Sequence, residues 1–276
     1  MEGNQGVQKI MGIINELKDV FSKRKIIISL AISDFKKRFV GSYFGVFWMF
    51  VQPIVTIVIY YAVFQLGFKS EPPVGVNAPY VFWLIPGIVP WFYFNEAVNM
   101  GTGCLFDYNY LVKKVVFKVG ILPVIKNVSC YLVHAIFVFI MLVVFMLFGF
   151  MPNVYWLQLF YYSFCAFMLI LGLTFFSAAI NVFFKDMGQI VNILLQFGMW
   201  LTPIMWPYTM AGRYGQILKI NPVYYITEGF RDCMLNHAWF WQKPKLTIYF
   251  WLVTILIGLI GGAVFKKLKP HFADVL

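Results

Sequence analysis

This sequence predicts an all-α membrane protein with six transmembrane helices, and three observations carry that prediction. Of its 276 residues, 61% are hydrophobic and only 12% charged, where soluble domains run at about 45–50% and about 25%. The apolar residues fall in runs close to the roughly 20 that a helix needs to cross a bilayer core. The basic residues, 22 Lys and Arg against 11 Asp and Glu for a net charge of +11, flank those runs and do not gather on one face. Disorder, a fibre and an ordinary soluble enzyme are excluded by the composition, and nucleic-acid binding by the charge distribution.

The chain reads as one transmembrane domain over residues 1–276: an amphipathic region 1–43, a six-span bundle 44–265 and a tail 266–276. No secretory signal peptide opens it. Ile10, Ile13, Ile14, Leu17 and Phe21 recur at helical spacing with Asn15, Glu16, Lys18 and Asp19 between them, an amphipathic helix. A second such stretch sets Ile28, Ile32, Phe35 and Phe39 against Lys36, Lys37 and Arg38. Basic amphipathic helices of this kind lie in the membrane interface; packing on a soluble partner is the alternative.

Span one runs from Phe44 to Leu66, broken only by Gln52 and Pro53. Span two, Tyr80 to Met100, carries Pro86, Pro90 and Glu96. Span three, Val128 to Met151, contains His134. Span four is Trp156 to Phe184, span five Ile190 to Trp206 and span six Leu246 to Phe265. Between spans five and six, Pro207 to Lys245 is dense in Tyr and Trp, the residues of the headgroup level. Short re-entrant helices are expected there, shielded by protein or water.

Orientation follows from the loops. Residues 1–43, the loop after span two (Lys113, Lys114, Lys118, Lys126), Lys185 and the tail (Lys266, Lys267, Lys269) hold most of the basic residues. Only Lys69, Arg213, Lys219, Arg231, Lys243 and Lys245 fall on the other side. The positive-inside rule therefore places both termini in the cytoplasm, as an even number of spans requires.

Several chemistries have no residues to carry them. The sequence has no phosphate-binding G-x-x-x-x-G-K-S/T loop and no H-E-x-x-H or G-x-S-x-G. His134, His237 and His271 are far apart, so neither a metal site nor a triad is expected. Cys104, Cys130, Cys165 and Cys233 form no C-x-x-C pair and read as small buried hydrophobes. Glu96 and His134 are ionisable groups inside spans, and such groups invite a functional reading; two isolated ones make no proton relay. The aromatic content, 31 Phe, 16 Tyr and 9 Trp, exceeds what lipid-facing Phe alone requires. Aromatic faces stack on the C–H faces of sugars while Tyr and Trp tips bond hydroxyls, so a glycan pathway is one use for them.

Six motifs, in order, resemble the permease subunit of type-2 bacterial ABC exporters of polysaccharide, the O-antigen, teichoic-acid and capsule export family. Arg38-Phe-Val-Gly-Ser-Tyr-Phe-Gly-Val-Phe-Trp48 followed by Pro53 is similar to R-Y-x-x-S-x-L-G-x-x-W…P. Asn109-Tyr-Leu-Val-Lys-Lys-Val-Val-Phe117 with Ile121-Leu122-Pro123 resembles N-x-x-L-V-K-K-V-x-F…I-L-P. Asn181-Val-Phe-Phe-Lys-Asp186 resembles N-x-x-F/Y-R-D, and Trp200-Leu-Thr-Pro-Ile204 with Pro207 resembles W-x-T-P-I-x-x-P. Asn221-Pro222 with Arg231, and Phe272-Ala-Asp-Val-Leu276, complete the series. Two departures stand out: Lys118-Val119-Gly120 replaces a proline turn, and Lys185 replaces an arginine and loses its planar fork.

The resemblance implies a multi-pass inner-membrane protein that works as a homodimer with two copies of an ABC ATPase subunit. ATP and Mg would sit on the ATPase, leaving this chain with no cofactor, no metal and no enzymatic step. It implies a coupling helix around Asp107, Asn109, Leu111, Val112, Lys113, Lys114 and Phe117. Lys113 and Lys114 would face acidic ATPase residues or anionic lipid. A second cytoplasmic contact falls at Asn181, Lys185 and Asp186. The pathway would take Tyr43, Phe47, Trp48, Trp200, Thr202 and Pro203, and the external gate Asn221, Pro222 and Arg231. The cargo would be a lipid-linked polysaccharide or teichoic-acid polymer. Export of a small lipid or drug, a membrane-embedded glycosyl-lipid enzyme and an ion-coupled transporter are the alternatives.

Overall fold

The computed structural model describes residues 23–38, 40–70, 72, 78–113 and 117–276. The first amphipathic stretch, Ile10 to Phe21, lies outside the described residues, as do Phe39 and Lys114. Among the described residues every regular element is helical.

Helix α1, Arg24–Lys37, is the second amphipathic stretch. It packs on the bundle through Ile27, Ala31 and Asp34, while Ile28 and Ile32 stay exposed. The expected apolar face is therefore the outward one, as suits a helix with lipid beside it. A 3₁₀ turn, Gly45–Phe47, then leads into α2, Trp48–Tyr60, which continues as π-type turns Tyr61–Gly67. None of these residues is buried in the chain. A largely apolar helix that its own chain covers only in part, through Ile57, Tyr60 and Phe64, needs lipid or another chain for the rest.

Helix α3, Tyr80–Thr102, is the central element, and most of its residues are buried. Its two ends define the two ends of the bundle. Helices α4, Leu122–Leu147, and α5, Gln158–Phe183, pack against it. Pro123 in the first turn of α4 suits that position, where no N–H is needed. It starts the helix early enough to take Lys126 out of the expected loop and bury it. Helix α6 is Met187–Leu201, α7 is Pro222–Arg231 and α8 is Pro244–Leu268. The C-terminal tail folds back, with Phe272 buried against Phe183 and Phe265.

Five helical stretches are long and apolar enough to cross a membrane: Gly45–Gly67, Tyr80–Thr102, Val119–Leu147, Val154–Phe183 and Pro244–Val275. The expected fifth span is the exception. Helix α6 has 15 residues, about 22 Å, short of a bilayer core of about 30 Å. Pro203 and Pro207 stop it, because proline cannot donate to a helix and disfavours helix in the residue before it. The chain continues from Thr202 to Met205 as buried non-helical backbone. The expected re-entrant segment is a 3₁₀ stretch Tyr208–Tyr214, one turn Gly215–Leu218, and α7 with its π-type continuation Asp232–Asn236. Helix α7 sits inside the bundle against α3 and α5.

Helices α5 and α8 pack along each other closely, and glycine permits it. A Cβ on Gly261 would lie 2.3 Å from the Gly172 carbonyl oxygen, whereas one on Gly262 would meet nothing within 4 Å. Small residues at such crossings let helix backbones approach. Gly261→Ala is expected to cost about 1–3 kcal/mol through forced separation. Gly262→Ala should be neutral or slightly stabilising. Thermal unfolding in detergent compares the two; equal melting temperatures would refute the tight crossing.

Candidate functional site

The Thr102 end of the bundle holds a connected row of charges. After α3 the chain makes two single turns, Cys104–Asp107 and Asn109–Val112. Cys104, Leu105, Tyr108 and Val112 are buried, and Asp107, Asn109, Tyr110 and Lys113 are exposed. Lys126, only 4% exposed, bonds Asp34 Oδ1 at 2.7 Å and pairs with Asp107 at 3.0 Å. The Tyr108 hydroxyl donates to the same Asp34 oxygen at 2.8 Å. Burial raises the Asp34 carboxyl, but the bond and charge of Lys126 and the Tyr108 hydroxyl outweigh it and hold the group below its usual range. Asp34 lies 3.6 Å from Arg38 one turn on. Arg38 in turn pairs with Glu96 on α3 and donates to Ser129 Oγ at 3.0 Å. Asp107, Lys126, Asp34, Arg38 and Glu96 thus link the two turns, α4, α1 and α3.

Arg38 and Glu96 also form one end of a cleft of about 440 Å³ between α2, α3 and α4. Trp48 and Gln52 line it from α2, and Asn95 and Asn99 from α3. His134 is buried at its back, stacked on Tyr93 at 4.7 Å and bonded to Ser163 at 3.0 Å.

At the Tyr80 end, Arg231 organises the non-helical backbone. It is 1% exposed. Its guanidinium donates to the carbonyls of Trp83 at 3.2 Å, Pro203 at 2.9 Å and Ile204 at 2.6 Å, and pairs with Glu228. It lies 3.6 Å from the centre of the Trp83 ring and directly over Gly87, where a Cβ would sit 2.5 Å from Nη2. Tyr80 donates to the Met205 carbonyl. Asn221 accepts from the Val223 N–H at 3.0 Å and donates to Thr202 Oγ1 at 2.7 Å. Asn at the N-cap followed by Pro is a favoured helix start, so Asn221 and Pro222 begin α7 and tie it to the end of α6. Lys243 pairs with Asp232, whose carboxyl burial raises above its usual range against that charge.

The profile of the ABC-2 type transporters matches residues 27–235, from the first turn of α1 to just past α7. The chain belongs to the ABC-2 type transporter family. It is similar to the O-antigen export system permease protein RfbA of Myxococcus xanthus, 24% identical over 265 residues, covering 95% of this chain and 99% of that protein. A protein of the same description from Klebsiella pneumoniae is 24% identical over 254 residues, covering 91% and 95%. Both are described as permeases of an export system, and neither as an enzyme.

Within this ABC-2 transporter the expected residues divide. Asp107, Asn109 and Lys113 are exposed on the turns after α3, Leu111 and Phe117 are half-buried, and Val112 anchors the segment inward. Lys185 and Asp186 are exposed at the turn before α6. Asn181 is buried and donates to the Thr102 carbonyl at 3.0 Å, so it clasps α5 to α3 and is not a free contact. Tyr43, Phe47, Trp48 and Trp200 are exposed. Thr202 and Pro203 are buried with their polar atoms committed, because those atoms hold the broken end of α6. Arg231 is likewise a buried clasp and not an exposed gate residue. Among the described residues no group of His, Cys, Asp or Glu could hold a metal ion, and all four cysteines are buried and free. Asp34 and Lys126 are functional residues that the loop count misses; the signal is an acid on the same helix face as Ile27 and Ala31, since a buried charge requires a partner.

Proposed function

We propose that this chain is the membrane permease of an ATP-driven exporter that moves a lipid-linked polysaccharide, of the O-antigen or teichoic-acid kind, outward across the cytoplasmic membrane. The observation that carries this reading is its end-to-end similarity to O-antigen export permeases, 95% of this chain against 99% of one of them. A homodimer of this chain associates with two ATPase subunits, which bind ATP and Mg; this chain has no phosphate-binding loop of its own. The exposed faces of α2 and α6 meet the second copy, joined in the chain where Tyr60 contacts Met199 at 3.6 Å. They bring Trp48 and Trp200 to opposite ends of the pathway.

The chain crosses the membrane six times in this reading. Asn181, at the end of α5, bonds Thr102 at one end of α3, and Met205 accepts from Tyr80 at the other. The segment 187–205 therefore travels the length of the 23-residue α3, about 34 Å. Arg231 satisfies the carbonyls that its non-helical portion exposes, as backbone at membrane depth requires. Both termini are cytoplasmic, so the Thr102 end faces the ATPase, with the turns Cys104–Asp107 and Asn109–Val112 in the coupling segment. Closing of the ATPase pair on ATP moves these turns, and the charge row carries the displacement to α1 and α3.

The test is purification of the tagged chain from its native membrane in mild detergent, with mass spectrometry. Recovery of a stoichiometric ABC ATPase is expected. A dimer that repeatedly lacks any ATPase would refute the exporter reading.

A further inference from the structure

We propose that the cleft between α2, α3 and α4 binds an uncharged sugar unit of the transported polymer, one in each protomer. The inference rests on the exporter reading and adds a site to it. The cleft, about 440 Å³, falls in the size range of ligand pockets. Its wall alternates in a way that fits a sugar ring. Trp48 and Gln52 lie one turn apart on α2, as Asn95 and Asn99 do on α3, so each pair shares a helix face. Trp48 is half exposed and offers a flat apolar surface. Gln52, Asn95 and Asn99 each carry two N–H donors and a carbonyl acceptor. Among the described residues their side chains make no hydrogen bond to protein. Polar side chains kept only for structure are mostly bonded through both amide ends, as Asn127 and Asn221 are elsewhere in the chain. Three unsaturated amides on one cleft at membrane depth are an arrangement that a polyhydroxylated ligand completes.

Charge selects against an anion. The cationic group in the lining, Arg38, has both terminal nitrogens committed, to Glu96, Ser129 Oγ and Cys130 Sγ with Asp34 3.6 Å away, and its Nε is buried without a partner. A phosphate would have to displace Glu96 and lie beside two carboxylates. A neutral sugar has no such penalty: its hydroxyls donate to Glu96 and the amide oxygens and accept from the amide nitrogens. Its C–H face lies on the Trp48 ring. The cleft faces the half of α3 from Val89 to Met100, the cytoplasmic half in the proposed orientation, where cargo arrives.

The test uses the permease–ATPase complex in lipid nanodiscs, with tritiated lipid-linked polysaccharide extracted from the host as probe. Replacing Gln52, Asn95 and Asn99 together by Leu is expected to lower retention at least about tenfold, two or more lost hydrogen bonds' worth, with the complex eluting intact. Trp48→Ala should weaken retention and Trp48→Phe restore it. Unchanged retention in an intact triple variant overturns the site. If the triple variant does not assemble, a benzoylphenylalanine at position 52 decides: a tritiated glycan adduct supports the cleft, and an adduct with phospholipid alone overturns it. Wild-type complex that retains no polysaccharide fails the exporter reading itself. Retention by wild type and triple variant alike fails only the cleft.

Discussion

Replacing Arg231 by Met is expected to destabilise the chain by about 3–5 kcal/mol, the cost typical of removing one partner from a buried charged cluster. For a membrane domain of ordinary stability this is most of the margin. The side chain would still fill the slot over Gly87, so the loss is not one of volume. It comes from three carbonyls, those of Trp83, Pro203 and Ile204, which lose their donor in a place water does not reach. Arg231→Lys keeps the charge and reaches one carbonyl instead of three, so an intermediate loss is expected. The thermal midpoint of detergent-solubilised protein, followed by gel filtration, separates the variants. The double variant Arg231→Met with Glu228→Gln is the deciding control. Glu228 is partly exposed, 20% for its side chain, and rehydrates when unpaired. If the double variant recovers wild-type stability, the ion pair was what mattered and the carbonyl clasp described above is wrong.

How far the sequence leads differs between elements for physical reasons. Spans two, three, four and six are legible because their apolar runs exceed what any short helix needs; the structure keeps two, four and six to within a few residues, and span three begins six residues earlier, at Leu122. Span one was legible as a run, but nothing in it told that the chain leaves it uncovered. Span five failed as a helix at Thr202: the run of apolar residues continues to Trp206, yet the prolines at 203 and 207 forbid the hydrogen bonds a helix would need. Hydropathy does not register that constraint, whereas the Thr-Pro-Ile-x-x-Pro spacing does.

The charged residues were harder to read. Counting Lys and Arg by loop assigned Lys126 and Arg231 to aqueous segments, and both are buried. Each is buried because partners remote in sequence await it: Asp34 is 92 residues from Lys126, and Trp83 is 148 from Arg231. Local pattern carries no trace of such pairing. Glu96 reads in the sequence as an isolated ionisable residue inside a span; the structure gives it a partner, Arg38, in the motif that opens span one. The site residues divide along the same line. The motif positions Asp107, Lys113 and Trp48 are exposed. Asn181, Thr202, Pro203 and Arg231 serve to hold the fold.

The Lys126 variants test whether the charge row does more than hold the fold. Lys126→Met alone strands a buried Asp34 carboxylate and should cost about 3–5 kcal/mol. Lys126→Met combined with Asp34→Asn removes both charges and leaves a neutral pair within reach of the Tyr108 hydroxyl. Exchanging a buried ion pair for neutral groups is often close to neutral in stability, so the double variant is expected to fold and to bind its ATPase. It nevertheless lacks the tether to Asp107 and the contact that sets Arg38. Export of polysaccharide should therefore fall at least about tenfold while ATP hydrolysis continues, an uncoupled machine. Asp107→Asn approaches the same tether from the other side. That carboxylate is 52% exposed, so its loss should cost the fold under about 1 kcal/mol yet still reduce transport per ATP hydrolysed. Surface polysaccharide and ATP turnover, measured together on the same membranes, give that ratio. Normal transport per ATP in both variants would reduce the row to a structural feature and leave coupling to the buried apolar contacts of Leu105 and Val112.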